Sequence, residues 1–454
     1  MNPQDSRPAM LLLYSFVFTL GVILTAPYYL WRLRGRLTAL TDWRERFGFL
    51  PARFQRTERG AIWIHAVSVG ETLAVSNLVR ALQQRYPDRE LFLSHVTTAG
   101  REAGEARLPG VTGRFLLPLD WAMCVRRAFR RIRPALLVVV ETELWPNLLD
   151  VARAQGTRIL LVNGRISNRS FPRYRLVRPF MRRVLATIDR ICAQSEGDAR
   201  RFRSLGAAEN QVVVAGNLKF DAQPPRLGEF AQHLSRALTA AGRAPVIAAA
   251  STMAGEEELF LSAWEKVRQQ YARALLILAP RHPSRFEAVA ALLAAKGLSF
   301  IRRTSLAPEP LQLMSQIAPT DVLLLDTIGE LAGLFELADA VFMGGSLVPT
   351  GGHNLLEPAY WGKPILFGPY MHNFRDVAQL FLAKNAAVEI SDAQELGRAL
   401  VELLRAPERQ RQLGEAARSV LDEQRGATER VLKILAEWLD SPVASGRVNE
   451  RTAE

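Results

Sequence analysis

The sequence has only two cysteines, Cys124 and Cys192, in 454 residues. Two cannot build a disulfide framework, so a reducing compartment is the default. Lysine is nearly missing from the first half. Residues 1–225 hold 34 basic residues against 18 acidic, and 33 of the 34 are Arg, leaving Lys219 alone. Neither G-x-G-x-x-G nor G-x-x-x-x-G-K-[ST] occurs, which removes the dinucleotide and P-loop nucleotide fingerprints. No D-x-D carboxylate pair is present, and no Cys/His cluster has zinc spacing. Internal repeats and low-complexity tracts are absent too. What remains is 48% hydrophobic and 23% charged, which excludes disordered, collagen-like and repeat-array classes. At ~100–200 residues per domain the length predicts two or three domains.

The net charge of +13 is unevenly placed. The first half carries +16; residues 226–454, with 24 basic and 27 acidic residues, carry −3. Met10 to Leu30 reads MLLLYSFVFTLGVILTAPYYL without a charge. As a helix it is ~31 Å long, matching a hydrocarbon core of ~30 Å. Tyr28, Tyr29 and Trp31 follow as an aromatic belt, then Arg32, Arg34 and Arg36, which place the following chain on the cytoplasmic side. A signal peptide needs a basic start and an A-x-A site, neither of which is evident. The reading is an uncleaved membrane anchor that either spans or lies in the interface.

Apolar runs recur at Ile62–Val67, Leu91–Val96, Ala135–Val140, Ile159–Val162, Ile191–Ala193 and Val212–Val214. A second series follows at Val246–Ala250, Leu275–Ala279, Val322–Leu325, Ala340–Met343 and Ile365–Phe367. Most spacings suit βαβ units, and runs such as ALLVVV lack alternation, as strands covered on both faces do. GNLKFDAQPPRL, 216–227, interrupts the pattern. The expectation is an anchor over 1–35 and two doubly wound α/β domains, 36–225 and 226–454, the second ending in helices from about Asp392 to Leu439. Ligands of such domains bind beyond the carboxyl ends of the strands, and a cleft is expected between two of them.

The motifs lie just after the apolar runs. In WIHAVSVGET, 63–72, Glu71 opens a helix after a strand. It fits a general base and equally a favourable anion in a first helical turn. His65, inside that strand, reads as a core histidine. In ETELWPNLL, 141–149, Glu141 and Glu143 follow ALLVVV; they could orient a sugar or hold a neighbouring cation, or be capping acids. NGRIS, 163–167, opens a tract in which Arg165, Arg169, Arg173, Arg175, Arg178, Arg182, Arg183 and Arg190 meet one acid, Asp189. On a tethered protein this reads as contacts for lipid phosphates rather than a solvated face. Nucleic acid is not expected as a partner, because no stacking aromatics are interleaved. GNLKFD, 216–221, carries Lys219, whose compact ammonium could neutralise developing negative charge or simply be a linker cation.

In the second half, AASTMAGEEE, 249–258, starts a helix whose backbone amides suit an anion, or whose Ser251 or Thr252 is an N-cap. APRHPSRF, 280–287, offers Arg281 as a phosphate fork beside His282. DTIGELAGLF, 326–335, turns at Gly329. The longest motif, MGGSLVPTGGHNLLEPAYWGKPILFGPYMHNF, 343–374, places glycines after a strand and Glu357 in a helix's first turns, where a carboxylate can accept both hydroxyls of a ribose.

WIHAVSVGET, ETELWPNLL, NGRIS, GNLKFD, APRHPSRF and GGHNLLEPAYWGKPILFGP, taken in this order, resemble the 3-deoxy-D-manno-octulosonic acid (Kdo) transferases of Gram-negative bacteria. The resemblance covers nearly the whole chain. It implies an α/β fold of GT-B type: two Rossmann-like doubly wound domains facing a cleft, with an N-terminal membrane-anchor helix and a C-terminal helix packing back. It implies transfer of Kdo from CMP-Kdo to the lipid A precursor lipid IVA at the cytoplasmic face of the inner membrane. The first domain would bind the acceptor and the second the CMP-sugar. Glu71 matches the proton acceptor; Glu141 and Lys219 match positions that stabilise the transition state. CMP contacts fall on Arg281, His282, Gly329, Glu330, Leu331, Asn354, Leu355, Leu356 and Glu357. The expected partners are CMP-Kdo, lipid IVA and inner-membrane lipid. No metal and no cofactor are expected. Two other readings stay open: a GT-B transferase using a UDP-sugar, and a non-catalytic lipid-phosphate-binding protein.

Overall fold

The computed structural model describes residues 7–32, 39–54, 60–222, 227–307 and 309–440. Arg34 and Arg36, and the side chains of Tyr28, Tyr29, Trp31 and Arg32, lie outside the described residues, as does the linker 223–226. The chain divides into two compact units: Met1–Ala222 with Gln424–Glu454, and Gln223–Glu423.

The first unit holds a parallel sheet of β1 (Ala61–His65), β2 (Leu91–His95), β3 (Gly113–Leu116), β4 (Pro134–Val140), β5 (Arg158–Gly164), β6 (Arg190–Ala193) and β7 (Val212–Val214). Their order is β3-β2-β1-β4-β5-β6-β7. The unbroken apolar runs follow from burial on both faces. Leu137 and Val139 of β4 enter one core with Trp63, Phe115 and Phe129. Leu136, Val138 and Val140 enter the other with Ile62, Ile64 and Val162. Each such side chain contributes ~1.5–3 kcal/mol when fully buried. The direction of winding reverses between β1 and β4. That reversal opens a crevice at the carboxyl ends of these two strands, where ligands of open α/β sheets bind.

The reading of the sequence ran the second domain to residue 454. In the structure the last helix, Ala427–Leu439, packs on the first sheet. Ala427, Val431, Leu435 and Leu439 recur every four residues and fill the core beside Leu78 and Leu218. Its start is fixed by Asp221, whose carboxylate accepts hydrogen bonds from the amides of Gly426 (2.7 Å) and Thr428. Arg430 Nε donates to the Ala215 carbonyl at 2.7 Å.

The second unit has its own parallel sheet: β8 (Val246–Thr252), β9 (Leu275–Pro280), β10 (Phe300–Arg302), β11 (Val322–Leu324), β12 (Ala340–Met343), β13 (Ile365–Phe367) and β14 (Val388–Glu389). The order is β10-β11-β9-β8-β12-β13-β14, so the reversal lies between β8 and β12. Phe260, Trp264 and Phe342 centre its core. Three strands were not read from the sequence: β3, β10 and β14. All three are sheet edges, and they are short, at four, three and two residues. An edge strand covered less completely needs no continuous apolar run.

Candidate active site

In the first unit, the expected site residues converge on the β1–β4 crevice. Ser68 caps the helix Val69–Ala74, its Oγ accepting from the Glu71 amide at 3.4 Å. Glu71 answers across the same turn. Its Oε2 accepts from the Val67 amide at 2.7 Å and its Oε1 from the Ser68 hydroxyl at 3.0 Å. The S-x-x-E spacing is that of a capping box, so the carboxylate has one orientation. Glu71 is only 8% exposed. Burial pushes its pKa up to about 7, against the Val67 amide, and the charges of Glu141 and Glu143 push the same way. Glu143 is raised as well, by burial and then by Glu141. Glu71 thus completes the helix cap and keeps a raised proton affinity in the crevice.

Glu141 follows β4 directly with φ of +57°, a left-handed conformation that a non-glycine residue rarely adopts. Its amide still completes the β4–β5 ladder by donating to the Val162 carbonyl at 2.9 Å. The Thr142 hydroxyl donates to the Arg165 carbonyl and ties the turn down. Lys219 Nζ stands 3.6 Å from Glu141 Oε1, with both side chains 22% exposed. The structure thus brings Glu71, Glu141 and Lys219 to one place.

Three residues that hold Lys219 were missed by sequence reasoning. Asn163, at the end of β5 with φ of +56°, accepts from the Leu218 amide at 3.0 Å through Oδ1. Gln194 donates to the Asn163 carbonyl at 3.0 Å and accepts from the Asn217 side-chain amide at 3.2 Å. Asn217 Oδ1 accepts from the Lys219 amide at 3.0 Å. The signal was present in the amides of NGRIS and GNLKFD, but the Arg and Lys of those motifs drew the reading. His65 is a core histidine: it is fully buried, with Nδ1 2.9 Å from Ser94 Oγ, and burial pushes its pKa down to about 3.

In the second unit the 249–258 segment, expected to cradle an anion, instead supplies a carboxylate that takes up the amides of the β12 loop. Neither Ser251 nor Thr252 caps the helix Glu256–Gln270; both belong to β8. Glu256, fully buried, accepts from the amides of Gly345 (2.6 Å), Ser346 (3.0 Å), Leu347 (2.9 Å) and Met253 (3.1 Å). Gly344 of the β12 loop permits this approach. A Cβ on Gly344 would come within 2.8 Å of Glu256 Oε2 and two carbonyls. Burial outweighs the four donors and raises the Glu256 pKa. Glu257, also buried, takes Arg285 Nη2 at 2.9 Å. That pair fixes the turn after Arg281 and His282.

Arg281 and His282 are exposed at the end of β9. His353, which the sequence did not single out, is half-buried near both: burial first, and then their positive charges, push its pKa down to about 4. Asn354 lies two residues before the helix Leu356–Tyr360, its Oδ1 accepting from the Leu356 amide at 3.2 Å while its Nδ2 donates to Glu357 at 3.3 Å. Leu355 and Leu356 are buried in the core, so only their backbone is available to a ligand. Glu330 is engaged elsewhere. Arg303 donates to Oε1 at 2.9 Å, and Thr327 donates to Oε2. Gly329, at φ of +99°, and Leu331 flank it in the turn beyond β11.

Two doubly wound parallel α/β units, with carboxylates and a cation at one sheet's crevice and Gly- and Arg-bearing loops at the other's, make this a GT-B-like glycosyltransferase fold. A glycosyltransferase of Rickettsia africae has the same fold: TM-score 0.53 at 11% identity, covering 84% of this chain and 99% of that one. The sequence profile of the 3-deoxy-D-manno-octulosonic-acid transferase (kdotransferase) family matches residues 41–222. The 3-deoxy-D-manno-octulosonic acid transferase of Bordetella pertussis is 38% identical over 440 residues, 93% of this chain and 99% of the relative. That of Haemophilus influenzae is 35% identical over 403 residues, 88% and 92% respectively. The chain belongs to the Kdo transferase family and is a glycosyltransferase of lipopolysaccharide biosynthesis.

Proposed function

We propose that this enzyme moves Kdo from CMP-Kdo to a hydroxyl of lipid IVA, with inversion, at the cytoplasmic face of the inner membrane. Glu71 is the base. The acceptor O–H gives its proton to a Glu71 carboxylate oxygen as the acceptor oxygen bonds to the anomeric carbon of Kdo. The bond from that carbon to the phosphate oxygen breaks on the opposite face, and its electron pair leaves with CMP. Glu141 has a double effect. Its charge raises the proton affinity of Glu71, and it holds the Lys219 ammonium, which meets negative charge as the bond breaks. The second unit holds CMP through Arg281, His282, the Gly329–Leu331 turn and the Asn354–Glu357 segment, with Glu357 on the ribose. With Glu256 occupying the amides of the β12 loop, phosphate recognition falls on Arg281 and His282 rather than on those amides.

The reaction is proposed to need no divalent metal. Positive side chains would then stabilise the leaving phosphate. The observation that carries the reading is the buried, capped Glu71 with a pKa about 7 beside the Glu141–Lys219 pair. Its test is mass analysis of lipid IVA incubated with enzyme and a CMP-Kdo generating system, with and without excess EDTA. One or more added Kdo units, insensitive to EDTA, is the expected result. Transfer only from a UDP-sugar would overturn the donor; EDTA inhibition reversed only by a divalent ion would overturn the metal-free chemistry.

A further inference from the structure

The N-terminal helix Arg7–Arg32 has two unlike faces. One is locked to the first unit. Tyr14 stacks on Phe180, with ring centroids 6.1 Å apart, and Phe18 meets Trp121 (6.1 Å) and Trp145 (6.5 Å) edge-on. Asn147 Nδ2 donates to Ser15 Oγ at 3.1 Å, and Trp121 Nε1 donates to Thr19 Oγ1 at 2.8 Å. The Tyr14 hydroxyl bonds to Asp120, which is 1% exposed and also accepts the amides of Asn147 (3.0 Å) and Leu148 (2.8 Å). The other face is bare: Leu12 (69% exposed), Leu13, Phe16, Val17, Leu20, Ile23 and Leu24 (71%) all stand in the open.

The locked positions fall inside Ala9–Pro27, the stretch long and apolar enough to cross a bilayer. If this helix spanned, Tyr14 to Thr19 would lie at mid-membrane depth. Either the Asp120–Asn147 network would be carried into hydrocarbon with them, or the contacts would be stripped away. A carboxylate at the bilayer centre is strongly disfavoured, and an unpaired polar group in an apolar medium costs further. A helix lying flat meets neither cost. It keeps its inner contacts and buries the outer row in the acyl boundary.

Both flanks of the helix suit anionic headgroups. On one side, Phe180 belongs to the helix Arg178–Leu185, which continues the basic tract. There Arg169, Arg173, Arg175, Arg178 and Arg182 are exposed, as is Leu176 at 85%. On the other side, Trp121 stacks on Phe47 (6.2 Å), next to an open groove of about 750 Å3 lined by Arg44, Arg53, Arg127, Arg130 and Arg131. Arg127 there covers the Phe49 ring at 4.5 Å.

We infer that the N-terminal helix lies in the plane of an anionic bilayer surface, as a monotopic raft flanked by two arginine-rich edges, and does not span. This rests on the membrane attachment proposed above. Site-directed labelling of the full-length enzyme tests it. Cys124 and Cys192 are buried, so Asn2→Cys and, as a control on the body, Gln155→Cys supply the reactive thiols. In sealed inside-out inner-membrane vesicles, a membrane-impermeant maleimide is expected to label both equally before detergent. Spin labels at Leu12→Cys, Phe16→Cys and Ile23→Cys are expected at one shallow depth. An Asn2→Cys thiol that reacts only after detergent, or label depths that pass through a maximum at mid-helix, would overturn the inference. Protein that does not sediment with the vesicles would instead overturn membrane attachment itself.

Discussion

In the proposed mechanism Glu71 serves fold and chemistry at once. Its two hydrogen bonds lower its proton affinity; burial and two neighbouring carboxylates raise it, and the second set wins, at about 7. Turnover limited by chemistry is therefore expected to rise with pH through about 7 on its acid side. Glu71→Gln should lower turnover by ~10²-fold or more with CMP binding nearly intact; single-turnover rates beside calorimetric titration of CMP measure both. The same shift has a stability consequence. The folded state holds the proton more tightly than the unfolded chain, whose pKa is about 4.5. The resulting stabilisation is complete below that value and is lost as pH rises through about 7. Gln does not ionise, so Glu71→Gln should melt higher than the native enzyme at pH 8, with the gap closing towards pH 4.5. A gap that does not change with pH would argue against the raised pKa. Glu256 is different, because its carboxylate only holds backbone. Glu256→Gln puts an NH2 group against amides that need an acceptor. It should destabilise the fold by ~1–3 kcal/mol, read by denaturant unfolding, and weaken CMP binding as the β12 loop loosens.

At the scale of elements, the sites hang on strand ends and caps. The ETE, NGRIS and GNLKFD motifs were visible, but their geometry was not. Glu141 and Asn163 both take left-handed backbone at the ends of neighbouring strands; Asn tolerates that conformation, but a Glu gives no local sign of it. Asp221 was quoted with Lys219 yet had no assigned task. It caps a helix more than 200 residues later, a pairing that no local pattern encodes. Asp221→Ala should cost ~0.5–2 kcal/mol, as lost N-caps do. Hydrogen exchange should quicken mostly across Ala427–Leu439 and the Lys219 turn; uniform exchange over the whole first unit would show that the cap is not local.

At the scale of the molecule, the two units are proposed to carry different parts of the reaction, so their variants should fail differently. A ribose contact persists from bound donor to transition state. Glu357→Ala should therefore mainly weaken donor and CMP binding. Lys219 meets charge that develops only as the bond breaks, so Lys219→Ala should depress turnover more than CMP affinity. Lys219→Arg should rescue poorly, since a planar fork does not replace a compact ammonium 3.6 Å from Glu141. Calorimetry with single-turnover kinetics separates the two, and the reverse pattern would exchange the roles.

The sequence by itself determined the two α/β cores, the apolar N-terminal helix and the motifs that identify the family. Those features are written in local composition: unbroken apolar runs where strands are covered on both faces, and glycines and carboxylates just beyond them. Only the tertiary structure decided the rest. It fixed where the last helix, which the family resemblance had packing back, comes to rest on the first sheet, because a four-residue stripe and Asp221 found their partners there. It turned Glu256, from the very segment expected to cradle an anion, onto the amides of the β12 loop. It gave the N-terminal helix an inner and an outer face, since Ser15 and Thr19 meet Asn147 and Trp121. In each case the deciding partner lies about 90 to 200 residues away in sequence, and a long-range hydrogen bond or packed face leaves no periodic trace in the chain that makes it.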